Sequence, residues 1–229
     1  MNKALGSKSF ATPLVVDASS GSIQVGIPQS EEWLHVESIE LPALEGLFIA
    51  TSAVLTKIGK ELSEVDALFF CQGPGSTLGL RISAAFVKTI LWERAGGIPL
   101  HSYNALDLAS RMLKNPPAHL QAPFRKGLRF VRSQNGSEAI GDKEIHESEQ
   151  AFSLFPESHH LPDPRGNDDF IDSSKVITYD LAETRGLQDL ELVALPAESP
   201  DVYSPTPPSF KKWNPVRTPA DMKDSTRSS

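Results

Sequence analysis

The chain has 229 residues, a formal net charge of −7 and a hydrophobic content of 39%. This length allows one large or two small domains, and the apolar content is sufficient for a core. The acidic balance excludes a stand-alone nucleic-acid-binding protein, so any RNA would have to meet a local patch or be held by a partner.

The cysteine usage and the hydropathy favour a cytoplasmic protein with no membrane partner. Cys71 is the single cysteine, which excludes an intramolecular disulfide and suits a reducing compartment. Because it ends an apolar run, we predict a small buried side chain rather than a nucleophile. No apolar run reaches the roughly 18 residues of a membrane span, and residues 1–10 lack the apolar region of a signal peptide.

Three predicted strands open the chain. Pro13–Asp17 is a short apolar run, which predicts a buried strand. Residues 22–27 alternate between apolar and polar, as in a half-buried strand, and residues 19–21 predict the hairpin turn between the two. Trp33–Ile39 is the third predicted strand.

Helices and strands then alternate. Apolar residues from Leu44 to Leu62 recur at helical spacing, and Pro42 lies near the start of that helix. We next predict a strand, a helix, a short strand and a further helix, over residues 65–71, 82–92, 98–100 and 104–113. Asn104 is expected to cap the last helix, with Asp107 at the capping-box position. This order is typical of the ribonuclease-H-like half of actin-type folds.

The second half of the chain has weaker patterns. Strands are predicted over residues 127–132, 176–179 and 190–195, with a polar segment between 133 and 174. Prolines then recur to the end of the chain, so we expect no regular structure there. The predicted organisation is an N-terminal lobe over 1–114, a smaller divergent C-terminal lobe over 115–203 and a Pro-rich tail over 204–229.

A glycine-rich loop between the predicted strand and helix is the most specific motif. Its defining residues are Gly73, Pro74, Gly75, Ser76, Gly79, Leu80 and Arg81. Such a loop brings backbone close to a phosphate, to a neighbouring element or to a partner chain, and the residues alone leave these alternatives open. It is not a P-loop, because no Gly-Lys-Ser/Thr closes it.

The string from Gly73 to Arg81 resembles the GPGSFTGLR motif of the TsaB (YeaZ) family. Further matches are Val15-Val16-Asp17-Ala18-Ser19, where the family's first strand ends in Asp-Thr-Ser, and Gly97-Ile98-Pro99-Leu100. The chain departs from the family at Thr77-Leu78 and at Ser83. Where the family has a strand reading D-A-R-x-G-E-V-Y, this chain has residues 123–130, in which Pro123 replaces the aspartate. The resemblance implies a divergent member with an α/β actin-like (ASKHA) fold, a complete N-terminal lobe and a reduced C-terminal lobe.

By this resemblance the chain is a non-catalytic, cofactor-free subunit. It would pair with a TsaD-like subunit and with itself, and support threonylcarbamoyl transfer to an adenosine of tRNA. A TsaE-like ATPase is a further implied partner, and tRNA would be met only indirectly. Two alternatives remain. One is an actin-type enzyme that binds or hydrolyses a nucleotide, with Asp17 and Ser19 near its phosphate, and the other is a structural module that has lost the TsaD contact.

The histidines and the two long helices bear on these alternatives. The TsaD relatives carry an H-x-x-x-H metal motif. Here His101 stands at the first histidine position but Ala105 stands at the second, so no metal site is predicted. The pair His159-His160 is expected in a solvated loop.

Both long helices are apolar over most of their circumference, which predicts either a central position or a protein–protein interface. On the interface reading, Ala85 lies on the exposed face.

Overall fold

The computed structural model describes residues 10–202 except 96 and 167–170. The predicted Pro-rich tail over 204–229 lies outside the described residues, as do residues 1–9. None of the helices in the described part has the length and apolar character that a membrane crossing requires.

A six-stranded mixed sheet forms the centre of the fold, in the order β10-β5-β4-β1-β2-β3. Its strands are β1 (Pro13–Asp17), β2 (Ile23–Pro28), β3 (Trp33–Ile39), β4 (Ala67–Cys71), β5 (Leu100–Tyr103) and β10 (Ala194–Ala197). The first three form an antiparallel meander, as the sequence predicts, and β4 and β5 add in parallel to β1. Strands β1 and β4 are buried throughout, since helices cover both faces of the sheet.

Alternate residues of the central strands face two different sets of helices. Leu14 and Val16 of β1 belong to the core beneath α1 (Ala43–Lys57) and α2 (Thr77–Glu93). Val15 belongs to the core beneath α3 (Ala105–Met112) and α5 (Gly186–Val193). The helix α2 begins at Thr77, ahead of the predicted start at residue 82, because the Ser76 side chain accepts a hydrogen bond from the N–H of Gly79.

A second, four-stranded sheet has the order β8-β7-β6-β9. Its strands are β6 (His119–Pro123), β7 (Leu128–Ser133), β8 (Asp142–Glu147) and β9 (His159–His160), and the helix α4 (Ser148–Leu154) lies between β8 and β9 in the chain. Leu120 and Phe130 of this sheet lie in the same core as Leu106 and Leu108 of α3. The two sheets therefore share one hydrophobic core, with α3 between them.

The C-terminal part of the chain corrects several predictions. Residues 190–195, predicted as a strand, are the end of α5 and the start of β10, because Leu187 and Leu190 fall on one helical face. The predicted strand over 176–179 is reduced to a single bridge at Val176. The short strand after α2 lies at Leu100–Tyr103 instead of 98–100.

The lobe boundary is also corrected in part. The predicted boundary after residue 114 falls just beyond the end of α3. However, β10 returns to pair with β5 in the first sheet, so the predicted unit 115–203 is not a separate lobe along its whole length. The sequence did not indicate that the chain returns to the first sheet, because β10 has only four residues and one of them is Pro196.

Asp107 has a different role from the predicted capping box. Asn104 does cap α3, since its side chain accepts a hydrogen bond from the N–H of Leu106 at 3.0 Å. The carboxylate of Asp107 instead accepts from Arg132 Nε at 2.7 Å and pairs with Lys143 Nζ at 2.6 Å. Because Arg132 is fully buried, this ion pair fastens α3 to the second sheet within the core.

Candidate functional site

The glycine loop packs backbone to backbone against the end of β1. The N–H of Ser76 donates to the carbonyl oxygen of Ser19 at 2.7 Å. A side chain on Gly75 would overlap that same carbonyl, and a side chain on Gly79 would overlap the carbonyl oxygen of Ala18. The sequence left open whether the loop approaches a phosphate, a neighbouring element or a partner chain. In the described residues it packs against a neighbouring element, the end of β1.

The remaining loop residues divide into buried anchors and exposed groups. Gly73 has a φ of 107°, which favours glycine, and Pro74 is buried beside it. Leu80 is buried in the core beneath α3 and holds the start of α2 in place. Arg81 is exposed and forms no ion pair or hydrogen bond with the described residues, so its side chain is available to a partner.

Asp17 lies at the centre of a buried hydrogen-bond cluster. Its Oδ1 atom accepts from the N–H of Ser19 at 2.8 Å and from the Ser19 hydroxyl at 2.6 Å. Its Oδ2 atom accepts from the hydroxyls of Tyr103 at 2.8 Å and Tyr179 at 2.7 Å. Both carboxylate oxygens therefore already have donors, although Asp17 is only 1% exposed.

Burial and the charge of Asp17 together keep the neighbouring tyrosines and Cys71 protonated. Burial raises the pKa of Tyr103 and of Tyr179 well above the ordinary tyrosine value, and the negative charge of Asp17 raises both further. The pKa of the Cys71 thiol is raised by the same two causes. Both tyrosines thus remain hydrogen-bond donors, and Cys71 is buried and neutral, as predicted from its position in an apolar strand.

The space left between this cluster and the second sheet is small. A cavity of about 10 Å³ remains between Ser19, Gly75, Pro123 and Tyr179, which is room for roughly one water molecule. A nucleotide phosphate at Asp17 would have to displace both tyrosine hydroxyls. Nucleotide contact by Asp17 and Ser19 therefore stays a prediction, and these contacts do not favour it.

The tyrosines of this cluster were missed at the sequence level. Tyr103 ends β5, which is parallel to β1 through β4, so its position near Asp17 follows from the sheet order. Tyr179 lies 162 positions from Asp17, in a segment without regular structure, and no sequence pattern indicates it.

The histidines do not form a metal centre in the described residues. No group of three or more histidine, cysteine, aspartate or glutamate side chains is placed there to hold a metal ion. His101 is buried and stacks on Phe69 with ring centroids 4.9 Å apart. The expected solvated pair is corrected, because His159 and His160 form β9 and His160 is buried.

The helices α1 and α2 expose several large apolar side chains to solvent, and the exposed Arg81 and Lys88 lie on the same side of α2. On α2, Leu78 is 68% exposed and Trp92 is 84% exposed, and Ala85 lies exposed midway between them on the same side of the helix. On α1, Phe48 is 60% exposed and packs edge-on against Phe86 with centroids 5.2 Å apart. A groove of about 340 Å³ runs beside these two rings.

The two sheets, the central parallel strands and the β1 corner packed on a glycine loop define an α/β protein of the actin-like (ASKHA), ribonuclease-H-like class. The chain has the fold of YeaZ proteins. It is similar to YeaZ from Pseudomonas aeruginosa, with a TM-score of 0.50 and 23% identity over 61% of this chain and 68% of that one. It is also similar to an uncharacterized protein described as having similarity to peptidase YeaZ from Pseudomonas aeruginosa, with a TM-score of 0.52 and 21% identity over 66% of this chain and 75% of that one.

These structures confirm the predicted fold resemblance to TsaB (YeaZ). No protein-family model matches the chain, and no curated protein matches it.

Proposed function

We propose that this chain is a TsaB-like accessory subunit of a cytoplasmic tRNA-modifying assembly. It pairs with a TsaD-like subunit and with a second copy of itself, and it supports the transfer of threonylcarbamoyl to adenosine that the TsaD-like subunit performs. A TsaE-like ATPase is a further partner. The likeness of the fold to YeaZ supports a role in this modification system.

The exposed apolar face of α1 and α2 is the observation that carries the proposed pairing. Leu78, Ala85 and Trp92 follow each other at seven-residue spacing, so they lie on one side of α2. Large apolar side chains gathered on one exposed face are typical of protein–protein contact. Because Leu47 and Ala50 cover the sheet from the other side of α1, the exposed face is not needed for the core.

The Asp17 cluster supports a non-catalytic role. An actin-type ATPase needs a carboxylate that faces the nucleotide phosphates, whereas here Asp17 accepts hydrogen bonds from Ser19, Tyr103 and Tyr179. The Asp17 carboxylate thus makes hydrogen bonds within the protein at the position where a catalytic relative would bind its nucleotide.

The test is a charge placed on the exposed face. Ala85→Glu puts a carboxylate at the middle of the proposed interface, where an unpaired buried charge costs several kcal/mol. Sedimentation should show a shift to monomer, and co-purification of the TsaD-like subunit from the same organism should fall. Threonylcarbamoyladenosine formation in a reconstituted mixture should fall with it. The matched control is Ala182→Glu, at an exposed alanine outside α1 and α2.

The variant must keep its fold for the test to count. Unchanged circular dichroism and melting temperature are expected, since Ala85 is exposed in the isolated chain. If Ala85→Glu lowers the melting temperature strongly or aggregates, the Ala85 side chain belongs to the core, and the proposed interface on α2 is contradicted. If the chain does not bind a TsaD-like subunit, the alternative of a structural module that has lost this contact is favoured. If the chain hydrolyses ATP and Asp17→Asn abolishes the turnover, the alternative of an actin-type enzyme is favoured.

A further inference from the structure

Strand β3 lies at one end of the first sheet, and its outer side is open. It is the longest strand of that sheet, and β2 is its only neighbour in the strand order. The regular register with β2 covers His35 to Ile39. Within the described residues, no backbone hydrogen bond joins this stretch to a segment on its outer side. An open edge of this length is a template for pairing with another strand, and folded proteins usually cover such an edge.

Apolar side chains along this edge also reach solvent. Leu34, near the start of β3, is 46% exposed, and Leu41, just after its end, is 39% exposed. Val36 and Ile39 are only half-buried, although they pack against the two cores on opposite faces of the sheet. A further strand on this edge would therefore cover apolar side chains on both faces.

The edge is also acidic. Residues 31–45 contain no lysine or arginine and five glutamates, which are Glu31, Glu32, Glu37, Glu40 and Glu45. Glu37 contacts His35 at 2.7 Å, and the other four are exposed and form no ion pair with the described residues. Arg185 lies near Glu31 but is already paired with Asp189 at 2.9 Å. The charge of this edge therefore favours a basic strand as its neighbour.

The chain itself contains a basic segment of this kind. Residues 203–229 have five cations and two aspartates, a net charge of +3 in a chain whose total is −7. Between Pro208 and Pro215 stands a proline-free run, Ser209-Phe210-Lys211-Lys212-Trp213-Asn214, with the only aromatic residues beyond Tyr203. In an extended strand, Phe210 would share one face with Lys212, and Trp213 would share the other with Lys211. Each face would then offer one aromatic ring and one cation to β3.

The length of chain before this segment is sufficient to reach β3. Val202 packs against the core beneath α3 and α5, and Trp33 and Val36 of β3 pack against the same core. The eight residues from Val202 to Phe210 extend over about 26–29 Å. The six strands of the sheet are about 4.8 Å apart, so the sheet is about 24 Å wide. An extended chain can therefore cross the whole sheet from Val202.

We propose that residues 209–214 of the same chain add to the outer edge of β3 as a further strand of the first sheet. Backbone hydrogen bonds supply the affinity, while Lys211 and Lys212 meet the glutamates along the edge. The added strand keeps β3 from pairing with a strand of another chain. This goes beyond the proposed function, because it uses an edge of the sheet and not the helix α2 that carries Ala85.

Amide hydrogen exchange of the full chain, resolved by residue with NMR, tests the pairing. The N–H groups of His35 to Ile39 that point away from β2 should exchange slowly in the wild type. They should exchange about tenfold faster or more in Lys211→Glu/Lys212→Glu. The matched control is Arg217→Glu/Lys223→Glu, which makes the same change of charge beyond Pro215 and should leave these rates unchanged. The amides of β1 and β4 should keep their protection in every variant, which shows that the core is intact.

Proline variants separate strand pairing from attraction between charges. The N–H groups of neighbouring residues in a strand point in opposite directions, so one of Lys211→Pro and Lys212→Pro removes a donor that faces β3. That variant should expose the β3 amides. Lys211→Gln and Lys212→Gln lose the same charge but keep the N–H, and should expose them much less.

The rates are measured at a low and a high protein concentration, because a second copy of the chain is the alternative occupant of this edge. Protection that does not depend on concentration is the expected result. The proposal is overturned if the outward N–H groups of β3 exchange freely in the wild type, or if Lys211→Glu/Lys212→Glu behaves as its control does. It is also overturned if both proline variants match their glutamine counterparts, or if protection rises with concentration.

The outcome is independent of the proposed pairing. The substituted residues all lie beyond Val202, so a failed test leaves the pairing through α2 untouched. Conversely, loss of pairing in Ala85→Glu should leave the β3 amides protected.

Discussion

The hydroxyl of Tyr179 donates a 2.7 Å hydrogen bond to Oδ2 of Asp17, although 162 positions separate the two residues. The same segment is tied to β2 at Gln24, whose side chain donates to the carbonyl of Tyr179 at 3.0 Å and accepts from the N–H of Leu181 at 2.7 Å. A segment without regular structure is thereby fixed across the end of the first sheet. The cleft beside Asp17 is closed by these bonds.

Tyr179→Phe should lower the free energy of unfolding by about 1–3 kcal/mol, because it leaves a buried carboxylate oxygen with one donor fewer. Urea denaturation measures the loss. The control is the same substitution in an Asp17→Asn background, where the buried charge is gone and the loss should be smaller. Equal losses in both backgrounds would mean that the Tyr179 hydroxyl does not act through Asp17.

Gly75→Ala and Gly79→Ala should both destabilise the fold. An added methyl group at Gly79 would overlap the carbonyl oxygen of Ala18, and neither backbone can move aside without breaking the Ser76–Ser19 hydrogen bond. Helix propensity favours alanine at Gly79 by about 1 kcal/mol, so a net loss would show that close packing dominates.

Thermal melting compares these two variants with Gly21→Ala. Gly21 has open space around an added methyl group, so its melting temperature should be nearly unchanged. Wild-type melting of Gly79→Ala would contradict the close approach of the loop to β1.

Asp107→Asn should lower the free energy of unfolding by about 3–5 kcal/mol, because it leaves the buried guanidinium of Arg132 without a counter-charge. Chemical denaturation is the measurement. Adding Arg132→Met in the same chain should recover part of the loss, since the uncompensated charge is then removed. Asp172→Asn, at an exposed aspartate, is the control and should change little.

Stability should fall as the pH drops from about 6.5 to about 4, in part through His160. Burial, and next the charge of Arg129, lower the pKa of His160 from 6.5 to about 4, and Arg129 Nη2 lies 3.2 Å from Nδ1 of the ring. Between these pH values the unfolded chain binds a proton at His160 and the folded chain does not, so protonation favours unfolding.

The shifted pKa of His160 contributes about 3 kcal/mol at most to the free energy of unfolding above pH 6.5. Urea denaturation at several pH values measures it, and His160→Gln, which keeps an acceptor for Arg129, should flatten the pH dependence over this interval. Parallel profiles for the variant and the wild type would show that His160 is not the titrating group.

Local pattern predicted the first half of the fold well. Alternation and short apolar runs located β1, β2 and β3, and helical spacing located α1, because each of these elements buries a face whose period is visible in the sequence. In the second half, the strand predicted over 127–132 is confirmed as β7 (Leu128–Ser133), but the other elements were predicted poorly. There β9 and β10 have two and four residues, too few to show a period. The predicted strand over 190–195 instead joined the end of α5 to the start of β10, because α5 and β10 follow each other directly in the chain.

The amino-acid pattern alone indicates the order of elements up to α3, the glycine loop after β4 and the resemblance that this loop carries. It also determined that Cys71 would be buried, since an apolar strand between two layers of helices exposes neither face. The contacts of the loop and of Asp17 are visible only in the folded chain. Those partners are the backbone of Ala18 and Ser19 and the hydroxyls of Tyr103 and Tyr179, and Tyr179 lies 162 positions from Asp17 along the chain. Periodicity records which face of an element is buried, whereas the partner of a buried polar group depends on contacts between distant segments that no local pattern encodes.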